Sequence, residues 1–148
     1  MTISRKTVCV VYGVIAVLAL IGTWGHNIAY LDRGFVGANQ AFWSDTLANP
    51  ASRSITADIF FFGLAVFVWM VLEARRLGIR GVWLYMVFGI LIAISVTVPI
   101  FLINRERALA ATEPSSIAGH LNSLDVIGLA LSSAGIVAYV VIALLHAS

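Results

Sequence analysis

Apolar residues along the chain gather into four long runs separated by short polar segments. The runs cover about residues 8–24, 55–72, 81–103 and 126–145. Each is close to the ~20 residues with which a helix crosses a ~30 Å hydrocarbon layer. Because lipid offers a backbone amide no hydrogen-bonding partner, each run is predicted to be helical. The pattern therefore predicts one all-α membrane domain over residues 1–148. It is a polytopic membrane protein, a four-transmembrane-helix bundle with helices at about 7–25, 50–77, 81–103 and 114–146.

Capping and turn residues define several of the predicted helix ends. Asn49 is a favourable N-cap for the second helix, and Pro50 follows at the first helical position, where its missing N–H costs nothing. Gly78 is a natural left-handed C-cap, and the link that follows it is short. Helices two and three are therefore expected to form an antiparallel hairpin, and Pro99 is expected to kink the third helix.

The segment between the first two runs, residues 26–49, is rich in aromatic residues. Tyr30, Phe35, Phe42 and Trp43 lie within it. Aromatic side chains of this kind are typical of the membrane–water interface, so we predict an interfacial aromatic loop between helices 1 and 2. The alternative is that this loop is a lid over an outward-facing cavity.

The composition excludes most other classes of protein. Apolar residues make up 61% of the 148 residues and charged residues 11%, against about 25% in an average soluble domain. The mean hydropathy is +1.00. A single cysteine, Cys9, excludes an internal disulfide, and no Cys/His spacing indicates a zinc site. The formal net charge of +2 is too small to indicate a nucleic-acid partner.

The distribution of Lys and Arg predicts the orientation in the membrane. Five lie on one side of the predicted bundle: Arg5, Lys6, Arg75, Arg76 and Arg80. Four lie on the other side: Arg33, Arg53, Arg105 and Arg107. Since positive residues favour the cytoplasmic side, we expect a multi-pass protein of the cell inner (plasma) membrane with both termini cytoplasmic. No cleavage site follows the first run, so we expect it to stay in place as a membrane helix.

Polar residues at the outer side of this bundle form the main candidate site. A charge within a membrane helix is costly, so Asp58, well inside the second helix, needs partners. In the predicted bundle, helices one and three end on the outer side, and helices two and four begin there. Polar residues near these four helix ends are therefore expected at the same depth as Asp58. The predicted cluster consists of His26, Arg53, Asp58, Asn104, Arg105, His120 and Asp125.

Two interpretations of this cluster stay open. In the structural one, it is a network of interhelical salt bridges, such as Arg105 with Asp58. In the functional one, it binds a ligand, or Asp58 or Asp125 acts as a catalytic general acid. No metal site is predicted there, since no local spacing supports one. Glu73 lies about 22 Å along the helix from Asp58 and is expected at the opposite membrane interface, beside two arginines.

Small residues recur along one face of the fourth predicted helix. Gly128, Ser132 and Gly135 lie at steps of three to four residues. Small residues allow helices to approach closely, so this stripe is predicted to be a packing seam within the bundle. The alternative is a wall for a flat apolar ligand.

Part of the chain resembles a known family. The residues that carry the resemblance are the run from Asn49 to Arg53, then Asp58, Trp69 and the run from Glu73 to Gly78. Over about residues 42–107 the chain resembles the DUF2834-type family of small bacterial integral membrane proteins of unknown function. The resemblance implies a small multi-helix membrane protein and no particular activity.

These observations favour a non-enzymatic function. We expect a protein that binds a lipid- or isoprenoid-like ligand, or an accessory subunit of a larger membrane complex, because no catalytic motif is present. The alternative is an intramembrane isomerase or cyclase that acts on an isoprenoid-type substrate. The expected partners are the lipid bilayer, an apolar small molecule or a membrane complex, and a second copy of the chain; nucleic acid is not expected. No pattern names a cofactor.

Overall fold

The computed structural model describes residues 2–112 and 117–146, which are almost entirely helical. The elements are β1 (Thr2–Ser4), α1 (Arg5–Asn27), α2 (Gly34–Asp45), α3 (Pro50–Arg76), α4 (Val82–Leu91), α5 (Ile94–Thr112), β2 (Ile117–His120) and α6 (Ser123–His146). A 3-10 helix, Ile28–Arg33, joins α1 to α2. The all-α class is confirmed.

Three helical segments have the length and apolar composition to cross a membrane. They are Arg5–Asp45, Pro50–Arg76 and Ser123–Leu145, and Val82–Leu91 is a shorter apolar helix. The chain is therefore a multi-pass membrane protein, as predicted. The start predicted for the fourth helix, residue 114, lies outside the described residues.

Helix α3 begins and ends close to the predicted residues. The Asn49 side chain accepts a hydrogen bond from the Ser52 backbone N–H at 2.9 Å, and Pro50 occupies the first turn. Beyond the helix, Gly78 has a φ of 67°, a conformation that glycine adopts at little cost. The capping residues thus explain both ends of this helix.

The predicted third helix over 81–103 is instead two helices, and this corrects the four-helix arrangement. Helix α4 ends at Leu91 and α5 begins at Ile94. The two helices pack side by side in opposite directions. The rings of Tyr85 and Phe101 lie 5.5 Å apart, and the Asn104 side-chain amide donates a hydrogen bond to the Tyr85 hydroxyl at 3.2 Å. Helices α4 and α5 therefore form a hairpin rather than one spanning helix.

Local contacts explain how the chain reverses at this point. A Cβ atom added to Gly89 would lie 2.9 Å from Thr97 Oγ1, so only glycine lets α5 approach α4 this closely. At the turn, the Ile92 carbonyl accepts a hydrogen bond from the Trp24 indole N–H at 3.3 Å. Backbone groups freed within a membrane need such partners. Pro99 lies inside α5, beyond the turn.

The hairpin returns the chain to the end of the bundle where it began. Arg105 of α5 contacts Glu73 of α3, and Glu106 contacts Arg5 at the start of α1. Strand β2, which follows α5, pairs antiparallel with β1, which precedes α1. We call this end the network end. The opposite end, where α1 leads into α2, is the loop end.

Helix α6 runs parallel to α1, from the network end to the loop end. Cβ atoms added to Gly22 and Gly25 of α1 would lie 3.1 Å from Val140 Cγ1 and 2.6 Å from Leu144 Cδ2. The later residue of α1 contacts the later residue of α6, so the two helices run in the same direction. The end of α6 thus lies at the loop end, opposite to Arg5, because α4 and α5 form a hairpin where one long helix was predicted. The cytoplasmic location of the termini stays a prediction.

The buried core lies in the half of the bundle near the network end. It consists of Met70, Ala74, Ile79, Val82 and Phe101. The hairpin turn reaches the level of Gly63, where an added Cβ would lie 2.9 Å from Ile94 Cδ1. At 1.5 Å per residue, this level is about 15 Å along α3 from Glu73, half of a ~30 Å hydrocarbon layer.

Candidate functional site

Five charged side chains of alternating sign form a continuous chain of ion pairs at the network end. Arg76 donates through Nε and Nη2 to both oxygens of Glu73, each at 2.7 Å. Arg105 donates from Nε to Glu73 at 2.6 Å and from Nη1 to Glu106 at 2.8 Å. Arg5 Nη1 donates to the other Glu106 oxygen at 2.8 Å. We call these five residues the ion-pair network.

Burial distinguishes this network from ordinary surface ion pairs. The Glu73 and Glu106 side chains are only 9% and 7% exposed. A buried carboxylate is stable only when it is paired and fully hydrogen-bonded, and here two arginines hold each carboxylate. The network joins α1, α3 and α5, so it fixes the hairpin against the two long helices beside it.

The geometry of the network is that of a structural connection rather than an acid–base pair. Every carboxylate oxygen of Glu73 and Glu106 already accepts a hydrogen bond from an arginine. A general base must reach a proton of the substrate, and these oxygens face protein donors instead.

Sequence reasoning found part of this network and missed the rest. Glu73 lies beside arginines, as expected, and Arg76 binds it. Arg105 was expected at the opposite end because the third helix was predicted to cross the membrane. The interruption of that apolar run by Gly89 and Pro99 was a signal for a broken membrane helix.

The structure places His26, Arg53 and Asp58 of the predicted cluster at the loop end, where the described residues show no hydrogen bond or ion pair among the three. Arg53 Nη1 donates to the Leu47 carbonyl at 2.8 Å. Asp58 is exposed on α3, and within the described part of the chain it has no hydrogen bond or ion pair. His26 is half-buried at the end of α1.

The other members of the predicted cluster lie at the network end. Asn104 binds Tyr85 and Arg105 belongs to the ion-pair network. His120 Nδ1 and Thr2 Oγ1 are hydrogen-bonded at 3.3 Å, next to the β1–β2 pair. The carboxylate of Asp125 accepts from the Asn122 N–H at 2.8 Å, at the start of α6.

The structure therefore does not bring the seven predicted residues together. The reason is the direction of α5, which carries Asn104 and Arg105 away from Asp58. A catalytic role of Asp58 or Asp125 stays a prediction. Within residues 2–112 and 117–146, no group of three or more His, Cys, Asp and Glu side chains could hold a metal ion.

The small residues of α6 are not at a contact between helices of this chain. Gly128, Ser132 and Gly135 are exposed, and Cβ atoms added to either glycine would meet nothing within 4 Å. The close approach of α6 to α1 uses Gly22 and Gly25 of α1 instead, because the two helices meet only near their C-terminal ends.

A largely apolar groove runs along the α4–α5 hairpin. Its volume is about 440 Å³. The apolar lining comes from both helices, and Arg80 and Gly81 line the end of the groove nearest the network end. The other lining residues are Leu84, Tyr85, Phe88, Ile92, Val96, Thr97 and Ile100. Leu84 is 61% exposed and Ile100 45% exposed, so the groove opens on the outer surface of the hairpin.

A second cavity lies at the loop end, between the turn of the hairpin and α2. Its volume is about 320 Å³, and Trp24, Phe35, Phe42 and Leu91 are among its lining residues. Tyr30 packs edge-on against Phe42 and donates a hydrogen bond to Asp45 at 2.7 Å. The aromatic loop is thus a short helical segment packed on itself, and its location at the membrane interface stays a prediction.

Comparison with known protein families identifies the family of this chain. The family model "Protein of unknown function DUF2834" matches residues 11–107, from the first turns of α1 to the charged residues of α5. The chain belongs to this family. The resemblance stated for residues 42–107 is confirmed, and the match extends it to α1. The DUF2834 region includes all of the ion-pair network except Arg5, whereas β2 and α6 lie outside it. No curated protein and no solved structure matches the chain.

Proposed function

We propose that the protein is a non-enzymatic membrane protein that holds a lipid-like ligand in the groove of the α4–α5 hairpin. The observation that carries this proposal is the groove itself. Its volume of about 440 Å³ is within the range of small-molecule sites, its lining is mainly apolar, and it opens on the outer surface of the hairpin.

The ion-pair network supports this function by holding the hairpin in place. The walls of the groove are α4 and α5, and α5 is tied through Arg105 and Glu106 to α3 and α1. Without these bonds, the hairpin would be held by apolar contacts, which lipid tails can replace, and by the Trp24 hydrogen bond at its turn. A rigid wall lowers the entropic cost of binding a ligand.

The charge distribution supports an orientation with the network end in the cytoplasm. Of the nine Lys and Arg residues, only Arg33 and Arg53 lie at the loop end. Since positive residues favour the cytoplasmic side, α1 and α6 then both leave the cytoplasm, and the end of α6 lies on the other side.

An accessory role in a larger complex is a second candidate, and one observation favours it. The apolar span of α6 has none of its residues buried within the chain. This helix therefore has room for a membrane partner along nearly its whole length.

Filling the groove tests the main proposal. The variant Ile100→Trp places a larger side chain in the groove, and Leu131→Trp makes the same kind of change on the exposed surface of α6. Native mass spectrometry of the protein extracted from membranes in mild detergent counts the lipids that stay bound. We expect Ile100→Trp to lose bound lipid and Leu131→Trp to keep it. Equal retention by both variants would contradict lipid binding in the groove.

A further inference from the structure

Building on the proposed lipid-binding function, we propose that the groove selects an anionic phospholipid and that Arg80 binds its phosphate headgroup. Arg80 lies in the link between α3 and α4 and lines the groove at the end near the network end, next to Gly81. Its side chain is exposed, and among the described residues it has no ion-pair or hydrogen-bond partner. A guanidinium group without a partner among the described residues thus lies at one end of a largely apolar groove.

The described carboxylates of the network end do not pair with Arg80. Glu73 and Glu106 are buried, and arginines of the ion-pair network occupy all of their oxygens. The Asp125 carboxylate accepts a hydrogen bond from the Asn122 N–H instead. Other cations without a partner in the described residues lie at the same end: Lys6, Arg75 and Arg107. The field around Arg80 is therefore positive, and it attracts an anion rather than a neutral headgroup.

The length of the groove fits a lipid chain within one leaflet. The ten residues of α4 are about 15 Å long at 1.5 Å per residue, which is half of a ~30 Å hydrocarbon layer. Arg80 lies at one end of this length, and Ile92 lies at the other, at the turn of the hairpin. Trp83, which is exposed at the start of α4, is a residue typical of the headgroup level. A headgroup at Arg80 thus leaves its acyl chain along α4 and α5.

These features together commit the site to a phospholipid. Free phosphate would use Arg80 but none of the apolar groove, and a neutral lipid would use the groove but not the charge. A single guanidinium group can donate two parallel hydrogen bonds to two oxygens of one phosphate, so Arg80 is suited to this headgroup.

The test compares lipids that differ in headgroup charge. The full chain is placed in bilayer nanodiscs that contain equal amounts of phosphatidylglycerol and phosphatidylcholine, then released into mild detergent, and bound lipids are counted by native mass spectrometry. We expect a preference for phosphatidylglycerol in the native protein. Arg80→Gln should lower that preference about fivefold, the effect of one cation near an anionic headgroup. Arg80→Lys should keep most of it, because the charge is retained.

Arg75→Gln is the matched control, since Arg75 is an exposed arginine at the same end that does not line the groove. An equal loss in Arg75→Gln and Arg80→Gln would overturn the proposal in favour of general surface attraction. Displacement of phosphatidylglycerol by millimolar inorganic phosphate would overturn it in favour of a free-anion site.

The experiment also separates this proposal from the proposed function. If both lipids bind equally and Ile100→Trp removes both, the groove holds lipid without selecting the headgroup, and only the role of Arg80 fails. If Ile100→Trp removes neither lipid, the proposed function fails and this inference fails with it.

Discussion

At the scale of single residues, the two acidic side chains of α3 have opposite surroundings. Glu73 is buried between Arg76 and Arg105, whereas Asp58 is exposed and, within the described residues, unpaired. Sequence reasoning gave Asp58 the larger role because a charge deep in an apolar run is unusual. It underestimated Glu73, since a carboxylate next to arginines at a helix end is usually an ordinary interfacial residue.

This contrast gives a stability prediction. Glu73→Gln removes the charge that balances Arg76 and Arg105 and leaves their positive charges facing each other. Breaking a buried ion pair costs about 3–5 kcal/mol, so the melting temperature in detergent should fall clearly. Asp58→Asn removes the same charge from the same helix and should change stability by less than about 0.5 kcal/mol. A larger effect of Asp58→Asn would indicate that Asp58 has a partner in the native membrane.

At the scale of elements, the sequence predicted α1 and α3 well. The predicted fourth helix included residues 117–120, which form β2, and the α4–α5 hairpin was not predicted. The length of an apolar run determines whether it spans, and its caps determine where it ends, as at Asn49 and Pro50. Over 81–103, however, the run is long enough to cross, and its turn at Ile92 contains no polar residue. In a membrane, residues that face a neighbouring helix are as apolar as residues that face lipid. The hydropathy of a run therefore does not show where the chain reverses direction.

Gly89 gives a test of the hairpin at this scale. In Gly89→Leu, the new side chain meets Thr97 of α5 and Phe67 of α3, since its Cβ would lie 2.9 Å and 3.3 Å from their nearest atoms. Overpacking of this kind costs about 1–3 kcal/mol, so thermal unfolding in detergent should begin at a lower temperature. Gly128→Leu on α6 is the control and should unfold like the native protein. If only Gly128→Leu were destabilised, the result would contradict the importance of Gly89 and support the packing seam predicted for α6.

At the scale of the whole molecule, the hairpin determines which parts of the chain share a side of the membrane. With a third crossing, Arg105 and Arg107 would lie opposite to Arg5. With the hairpin, they lie beside it, and the difference in positive charge between the two ends becomes large. The orientation was therefore hard to predict from the sequence, because the count of charges depends on the number of crossings.

Accessibility labelling tests this arrangement. In a Cys9→Ser background, cysteines introduced by Lys6→Cys and Ala110→Cys should react with an impermeant thiol reagent from the same, cytoplasmic side. A reporter fused behind α6 should be active only on the opposite side. Labelling of Lys6→Cys and Ala110→Cys from different sides would show that α4 and α5 cross the membrane as one helix.

The return of α5 to its starting side also bears on how the protein enters the membrane during synthesis. A crossing third helix would require Arg105, Glu106 and Arg107 to pass through the hydrocarbon layer, and insertion of each charged residue is costly. The hairpin enters and leaves on one side, with Arg80 before it and Arg105 behind it. No charge at either of its ends has to be translocated, so α4 and α5 can insert together as a single unit once α3 is in place.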